Sequence, residues 1–144
     1  MNEVEVIENI RIEDLIYEVR GKQVMLDSDL AKIYGCKNGT KSINLAVKRH
    51  INRFPKRFMF QLTKDEYSNL RFQTETTNMS RTLPYAFTEQ GAAMLSAVLK
   101  TDIAESASVA IMDAFVSMKK YISSNLLEQR FINNMVLEHV RSFF

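Results

Sequence analysis

Ser42-Ile43-Asn44-Leu45-Ala46-Val47-Lys48-Arg49-His50-Ile51-Asn52-Arg53-Phe54-Pro55 carries the sharpest period in the chain. Ile43, Val47, Ile51 and Phe54 recur at i, i+4, i+8 and i+11. At about 100° per residue they share one arc, with Ala46 and His50 beside them. The opposite arc carries Lys41, Asn44, Lys48, Arg49, Asn52 and Arg53. The pattern predicts a helix over 42–54 with a core-facing apolar side, closed by Pro55, which disfavours helical geometry at Phe54. Upstream, Asp27-Ser28-Asp29 offers N-cap chemistry for a helix of about two turns over 29–34, and Gly35 is its stop. Residues 35–41 form the turn between them, with Asn38-Gly39 as its strongest signal. Two helices joined by a turn, the second with a basic outer face, form a helix-turn-helix-like pair, although this turn exceeds the usual three or four residues. The plainer alternative is two core helices with a solvated basic side.

Moving toward the N-terminus, Leu15–Val19 and Gln23–Leu26 flank Arg20-Gly21-Lys22 and predict a β-hairpin. Residues 4–13 alternate imperfectly and could be extended. Toward the C-terminus, Phe58–Leu62 predicts a strand. Thr63 with Glu66 forms a capping box for a short helix through about Arg71. Residues 72–82 are polar and without period, so they read as a loop. Leu83–Phe87 can be a short edge strand, since Pro84 cannot donate to a ladder. Thr88 caps a helix from Glu89 to about Lys100, and Asp102 with Glu105 suggests another capping box. A long helix follows from Ile103 to about Ile122, with Val109, Met112, Phe115, Val116 and Ile122 in its seam. Ser123-Ser124-Asn125 is a candidate break. Leu126, Leu127, Phe131, Ile132, Met135, Val136 and Val140 then continue a helical pattern.

Charge is unevenly distributed. Nine cations and no acid lie between Leu30 and Lys64, while the whole chain of 144 residues is only +2. Such a block attracts a polyanion by counterion release, and nucleic acid is the commonest one in a cell. A solvated face without a partner is the bland reading. The length fits one domain, and 46% hydrophobic residues can bury a core. Gly 4 and Pro 2 argue against a turn-rich all-β fold, and one cysteine excludes an internal disulfide and a cysteine zinc site. The acidic start is unlike a signal peptide, and no apolar run approaches the ~18 residues of a membrane span. A cytoplasmic location is expected.

Other motifs carry little chemistry. Arg53-Phe54-Pro55-Lys56-Arg57-Phe58 interleaves cations with aromatics that can stack on bases, though Phe54 and Phe58 are better explained as core. His50 sits on the apolar arc and His139 stands alone, so no metal site is implied. Cys36 beside Lys37 could have a lowered pKa, yet an inert loop thiol is the simpler reading. Glu89-Gln90-Gly91 is explained by an acid in the first turn of a helix. No phosphate loop, nucleophile elbow or paired-carboxylate motif is present, so no enzyme and no cofactor is expected.

Several stretches in order resemble one family. Arg20–Gly35 is similar to the opening motif of the phage and bacterial "ORF six N-terminal" domain, a relative of the KilA-N and Bro-N domains. Val47–Pro55, Phe58–Thr63, Leu83–Leu95 and Ile111–Val116 follow in the same order. The resemblance spans about residues 15–120. It implies an accessory, non-catalytic DNA-binding domain of phage antirepressors and mobile-element regulators. Here the 72–82 loop has only Arg81 as a cation, so a wing-like DNA contact is not supported by its composition.

The expected architecture is α+β: a small β-hairpin or sheet, the helix-turn-helix-like pair and a C-terminal helical layer. Residues 1–122 form the domain. Residues 123–144 form a helical tail, either for dimerisation or leading to a missing C-terminal domain. The expected partner is duplex DNA, bound through Lys37, Lys41, Asn44, Lys48, Arg49, Asn52, Arg53, Lys56 and Arg57, with a homodimer and without membrane or small-molecule substrate. The rival is a protein-interaction module capturing an acidic partner such as a repressor, with RNA third.

Overall fold

The computed structural model describes residues 11–74, 82–99, 101 and 103–141. Strands β1 (Tyr17–Val19) and β2 (Lys22–Leu26) form the expected hairpin, in register Val19 opposite Lys22. The two turn residues, Arg20 and Gly21, have φ of 56° and 70°. That left-handed pair suits the twist of a two-residue hairpin. Arg20 is held there by two bonds to the Glu66 carboxylate, at 2.8 and 2.9 Å, and lies 4.3 Å over the Phe60 ring.

Helix α1 (Asp27–Ile33) follows β2 without a loop. Leu26 occupies the N-cap position and makes no side-chain cap bond, which corrects the expectation for Asp27-Ser28-Asp29. Asp27 instead joins the helix to the sheet: its carboxylate accepts from Ser28 N at 2.8 Å and Tyr85 N at 3.3 Å. Gly35, at φ 66°, ends the helix in a Schellman-type close, with Cys36 N donating to Ala31 O at 2.9 Å. Helix α2 (Thr40–Arg49) comes next, then a single 3-10 turn, Ile51–Arg53.

Strand β3 (Met59–Gln61) leads into α3 (Lys64–Thr74) through the expected capping box. Thr63 N donates to Glu66 Oε1 at 2.9 Å, and Glu66 N to Thr63 Oγ1 at 3.2 Å. Residues 72–74, expected in a loop, are the last of α3; the rest of that loop to Arg81 lies outside the described residues. Strand β4 (Tyr85–Thr88) is central, not an edge: the order is β1-β2-β4-β3, all antiparallel. Pro84 sits one residue ahead of the strand, where it removes no ladder donor, and its carbonyl accepts from Leu62 N at 3.0 Å. Helix α4 (Glu89–Val98) begins at once, with Thr88 Oγ1 accepting from Gly91 N at 3.3 Å. The final helix, α5 (Ala104–Arg141), runs 38 residues through Ser123-Ser124-Asn125 without the expected break. Asp102, the proposed capping partner of Glu105, lies outside the described residues, as do Lys100 and residues 4–10; Ile12–Leu15, expected to be extended, form a 3-10 turn, with Asp14 N donating to Arg11 O at 3.0 Å.

Alternation along the strands divides the core in two. Val24, Leu26 and Ala86 face one side with Phe60, Leu62 and Leu70, so α3 covers that face. Met25 and Phe87, paired in register, face the other, where α1, α2, α4 and α5 contribute Leu30, Ile33, Tyr34, Ile43, Val47, Leu95, Ile111 and Phe115. The result is α+β in three layers. The seam of α5 is Ala104, Ala107, Ile111, Ala114 and Phe115; Val109, Val116 and Ile122, expected in it, are exposed.

One half-buried acid strains this arrangement. Burial pushes the Asp29 carboxyl from 3.8 up to about 6, against the pull of Lys32 and with a further push from Asp27. A carboxyl whose folded pKa exceeds its unfolded value holds its proton more tightly when folded. Stability therefore falls as pH rises from about 4 to about 6 and stays lower above. Asp29→Asn removes that penalty. It is expected to raise the melting temperature by several degrees at pH 7 and leave it unchanged at pH 3. Glu66, drawn down to about 2 chiefly by its hydrogen bond from Arg20, contributes equally to parent and variant and cancels. Thermal melts across this pH range are the check.

Candidate nucleic-acid interface

Helix α2 is anchored by Ile43 and Val47, both buried, with Ala46 half-buried beside them. Rotation by about 100° per residue then places Lys41, Asn44 and Lys48 together on the solvent side. All three are exposed, as is Arg49 further round. The helix stops at Arg49 because His50 leaves helical geometry, with φ −128° and ψ 38°. The expected arc consequently breaks. Ile51 is 57% exposed rather than core, while Phe54 reaches the core through the 3-10 turn and meets Phe87 edge-on at 6.2 Å. Asn52, Arg53, Lys56 and Arg57 are exposed beyond the break, and Lys37 is exposed ahead of the helix.

The nine expected contact residues are thus all on the surface, but they do not make one cluster. Arg49 borders a groove with Leu45, His50, Val98 and Leu99, at the C-terminal end of α4. Arg57 borders another, of about 1000 Å³, with Lys22, Glu89, Gln90 and Lys119, at the N-terminal end of α4. Ten residues of α4 separate the two, roughly 15 Å. Arg57 also lies over the Phe58 ring at 5.2 Å, and Glu89 pairs with Lys119. The basic surface on and beside α2 is Lys37, Lys41, Asn44, Lys48, Arg49, Asn52 and Arg53, and Lys56 and Arg57 follow toward β3. Among the described residues, none of its cations forms an ion pair with a carboxylate. Leu45, 47% exposed, belongs to neither the apolar nor the basic arc of the sequence reading; its place off the apolar period was the signal of its exposure.

Residues 14–98, more than half of the chain, match the ORF6N domain. The chain belongs to the ORF6N domain family. No curated protein and no solved structure matches it. Membership is consistent with a phage-type regulatory domain. The match includes the whole hairpin, the helix pair, the sheet and α4, and it stops before α5 begins.

Other chemistry finds little support in the ORF6N domain. Burial pushes the Cys36 thiol up, opposite to the lowered value that Lys37 beside it suggested. Among the described residues, no group of His, Cys, Asp and Glu could hold a metal ion. No described helix is long and apolar enough to cross a membrane. Tyr34, fully buried, donates to or accepts from Ser96, and burial first of all pushes its hydroxyl up to about 12. It ties α1 to α4 and is a structural group.

Proposed function

We propose that this ORF6N domain is a non-catalytic duplex-DNA-binding domain of a phage-type or mobile-element regulator, with α2 as the helix that meets DNA. One observation carries the reading. A stretch with no acid presents Lys37, Lys41, Lys48, Arg49 and Arg53 outward, unpaired among the described residues, on and beside a short helix. Each free cation keeps its full charge for phosphate, and a helix is the element that fits the major groove. Asn44, on the same side of α2 as Lys41 and Lys48, has the donor and acceptor pair that suits an adenine edge, and so has Asn52, exposed past the break at His50. The rival reading, capture of an acidic protein such as a repressor, draws on the same charge but gives the asparagines no task.

The deciding test is Lys48→Ala with Arg49→Ala. Both side chains are exposed, so the pair is expected to leave the melting temperature nearly unchanged, within ~0.5 kcal/mol per site. DNA affinity at low salt is expected to drop at least tenfold. Equal affinity for parent and variant would remove α2 from the interface. Tighter binding to an acidic protein or to RNA than to duplex DNA would favour those partners instead.

A further inference from the structure

Helix α5 leaves the domain part-way along its length. Its N-terminal part buries Ile111, Ala114 and Phe115 against the core. From Leu126 to Leu137, seven large apolar side chains (Leu126, Leu127, Phe131, Ile132, Met135, Val136, Leu137) are 51–66% exposed. Clustered apolar surface of this extent marks an interaction face, and the part of it on the line of Leu126 and Val136, flanked by Ile132 and Leu137, continues the side of the helix that packs on the domain. Residues 123–141 hold Glu128 and Glu138 against Arg130 and Arg141, a net charge of zero. Nothing in that balance selects a nucleic acid or a charged protein, and a second copy meets no repulsion.

The pattern on one side of the helix is self-complementary. Phe115, Met118 and Ile122 continue into Leu126, Gln129, Asn133, Val136 and position 140, within an arc of roughly 80° at about 100° per residue. From Ile122 the steps are 4, 3, 4, 3 and 4, the same read in either direction. A second helix running antiparallel, with its two-fold axis at Phe131, sets Leu126 opposite Val136, Gln129 opposite Asn133 and Ile122 opposite position 140, each twice. Gln129 Nε2 already donates to Asn133 Oδ1 at 3.1 Å within one helix, so the polar layer enters the seam partly satisfied and marks the register. A parallel pairing on this side is blocked, because the domain itself occupies the same line of α5 at Ala107, Ile111 and Phe115. The antiparallel offset places the partner's domain beyond the far end. Six positions a side, from Ile122 to position 140, form the seam.

We propose that α5 joins two copies of this chain in an antiparallel, tail-to-tail pair centred on Phe131. The pairing is independent of the DNA-binding reading. Leu127, Phe131 and Met135 lie on the reverse side of the seam and stay outside it. The expected mass in light scattering is twice the 16.7 kDa of one chain. Leu126→Asp with Val136→Asp is expected to halve that mass without lowering the domain's melting temperature. Orientation is read by cross-linking in a Cys36→Ser background. Leu126→Cys and Val136→Cys proteins, mixed and oxidised, are expected to give a covalent dimer, and neither alone. A monomeric parent, an unchanged mass for the double aspartate variant, self-linking of Leu126→Cys, or no link in the mixture each overturns the proposal.

Discussion

Gly91→Ala is expected to destabilise the domain by roughly 3–5 kcal/mol, although alanine is the better helix former by about 1 kcal/mol. The reason is a close approach between α4 and the chain entering β3. A methyl group at Gly91 would stand 1.9 Å from the Phe58 carbonyl oxygen and 2.8 Å from its carbon. Both atoms are backbone, so no rotamer change relieves the contact. The helix must withdraw, and three bonds lie in its way: Thr88 N to Phe58 O at 3.0 Å, Thr88 Oγ1 to Arg57 O at 2.9 Å and Thr88 Oγ1 to Phe58 O at 3.2 Å. Each such bond contributes about 1 kcal/mol, and overpacking adds another 1–3. A fall in melting temperature of more than about 10 °C is expected. A rise would show that helix propensity governs the site and that α4 does not approach β3 this closely.

Gly91 also shows what a sequence hides. Glu89-Gln90-Gly91 was legible as the first turn of a helix, and Thr88 as its cap, because those signals are local. The need for a missing side chain depends on Phe58, more than thirty residues away. The same distinction runs through the fold. The hairpin at Arg20-Gly21, the stop at Gly35 and the capping box at Thr63 and Glu66 were all readable, since each motif satisfies its own backbone. The central place of β4 was not, because Pro84 signalled an edge and only its position just outside the strand removes the conflict. Ile51 was misassigned for a related reason. Periodicity assumes an unbroken helix, and the backbone turn at His50 shifts everything after it. Ser123-Ser124-Asn125 looked like a break, yet such residues cost only tenths of a kcal/mol each in a helix, too little to stop one. In the candidate interface, exposure of all nine residues was legible from polarity. That Arg49 and Arg57 lie toward opposite ends of α4 was not, since it is set by where β3 and α4 meet.

The salt dependence of DNA affinity is the second large effect expected, and it joins the basic surface to the tail. Lys37, Lys41, Lys48, Arg49 and Arg53 lie on and beside α2, and Arg57 borders the groove at the other end of α4 from Arg49. Five phosphate contacts on B-DNA correspond to a slope of about −4.5 in log affinity against log salt. Between 50 and 200 mM salt, affinity would fall roughly 500-fold for one protomer. Two protomers engaged together double the slope to about −9, a fall on the order of 10⁵. A parent paired through α5 as proposed is expected near the steeper value on a duplex long enough for both domains. Leu126→Asp with Val136→Asp, a monomer by expectation, should show the shallower one with its α2 surface intact. Lys48→Ala with Arg49→Ala should flatten the parent slope by about 3.6, four contacts in all. The two variants thus change one number for different reasons, and mass measurements tell them apart. A slope near zero for the parent would contradict the phosphate reading outright, since no arrangement of five unpaired cations on DNA is insensitive to salt. It would transfer the basic surface to the acidic-protein alternative, and the tail pairing would stand or fall on its own cross-links.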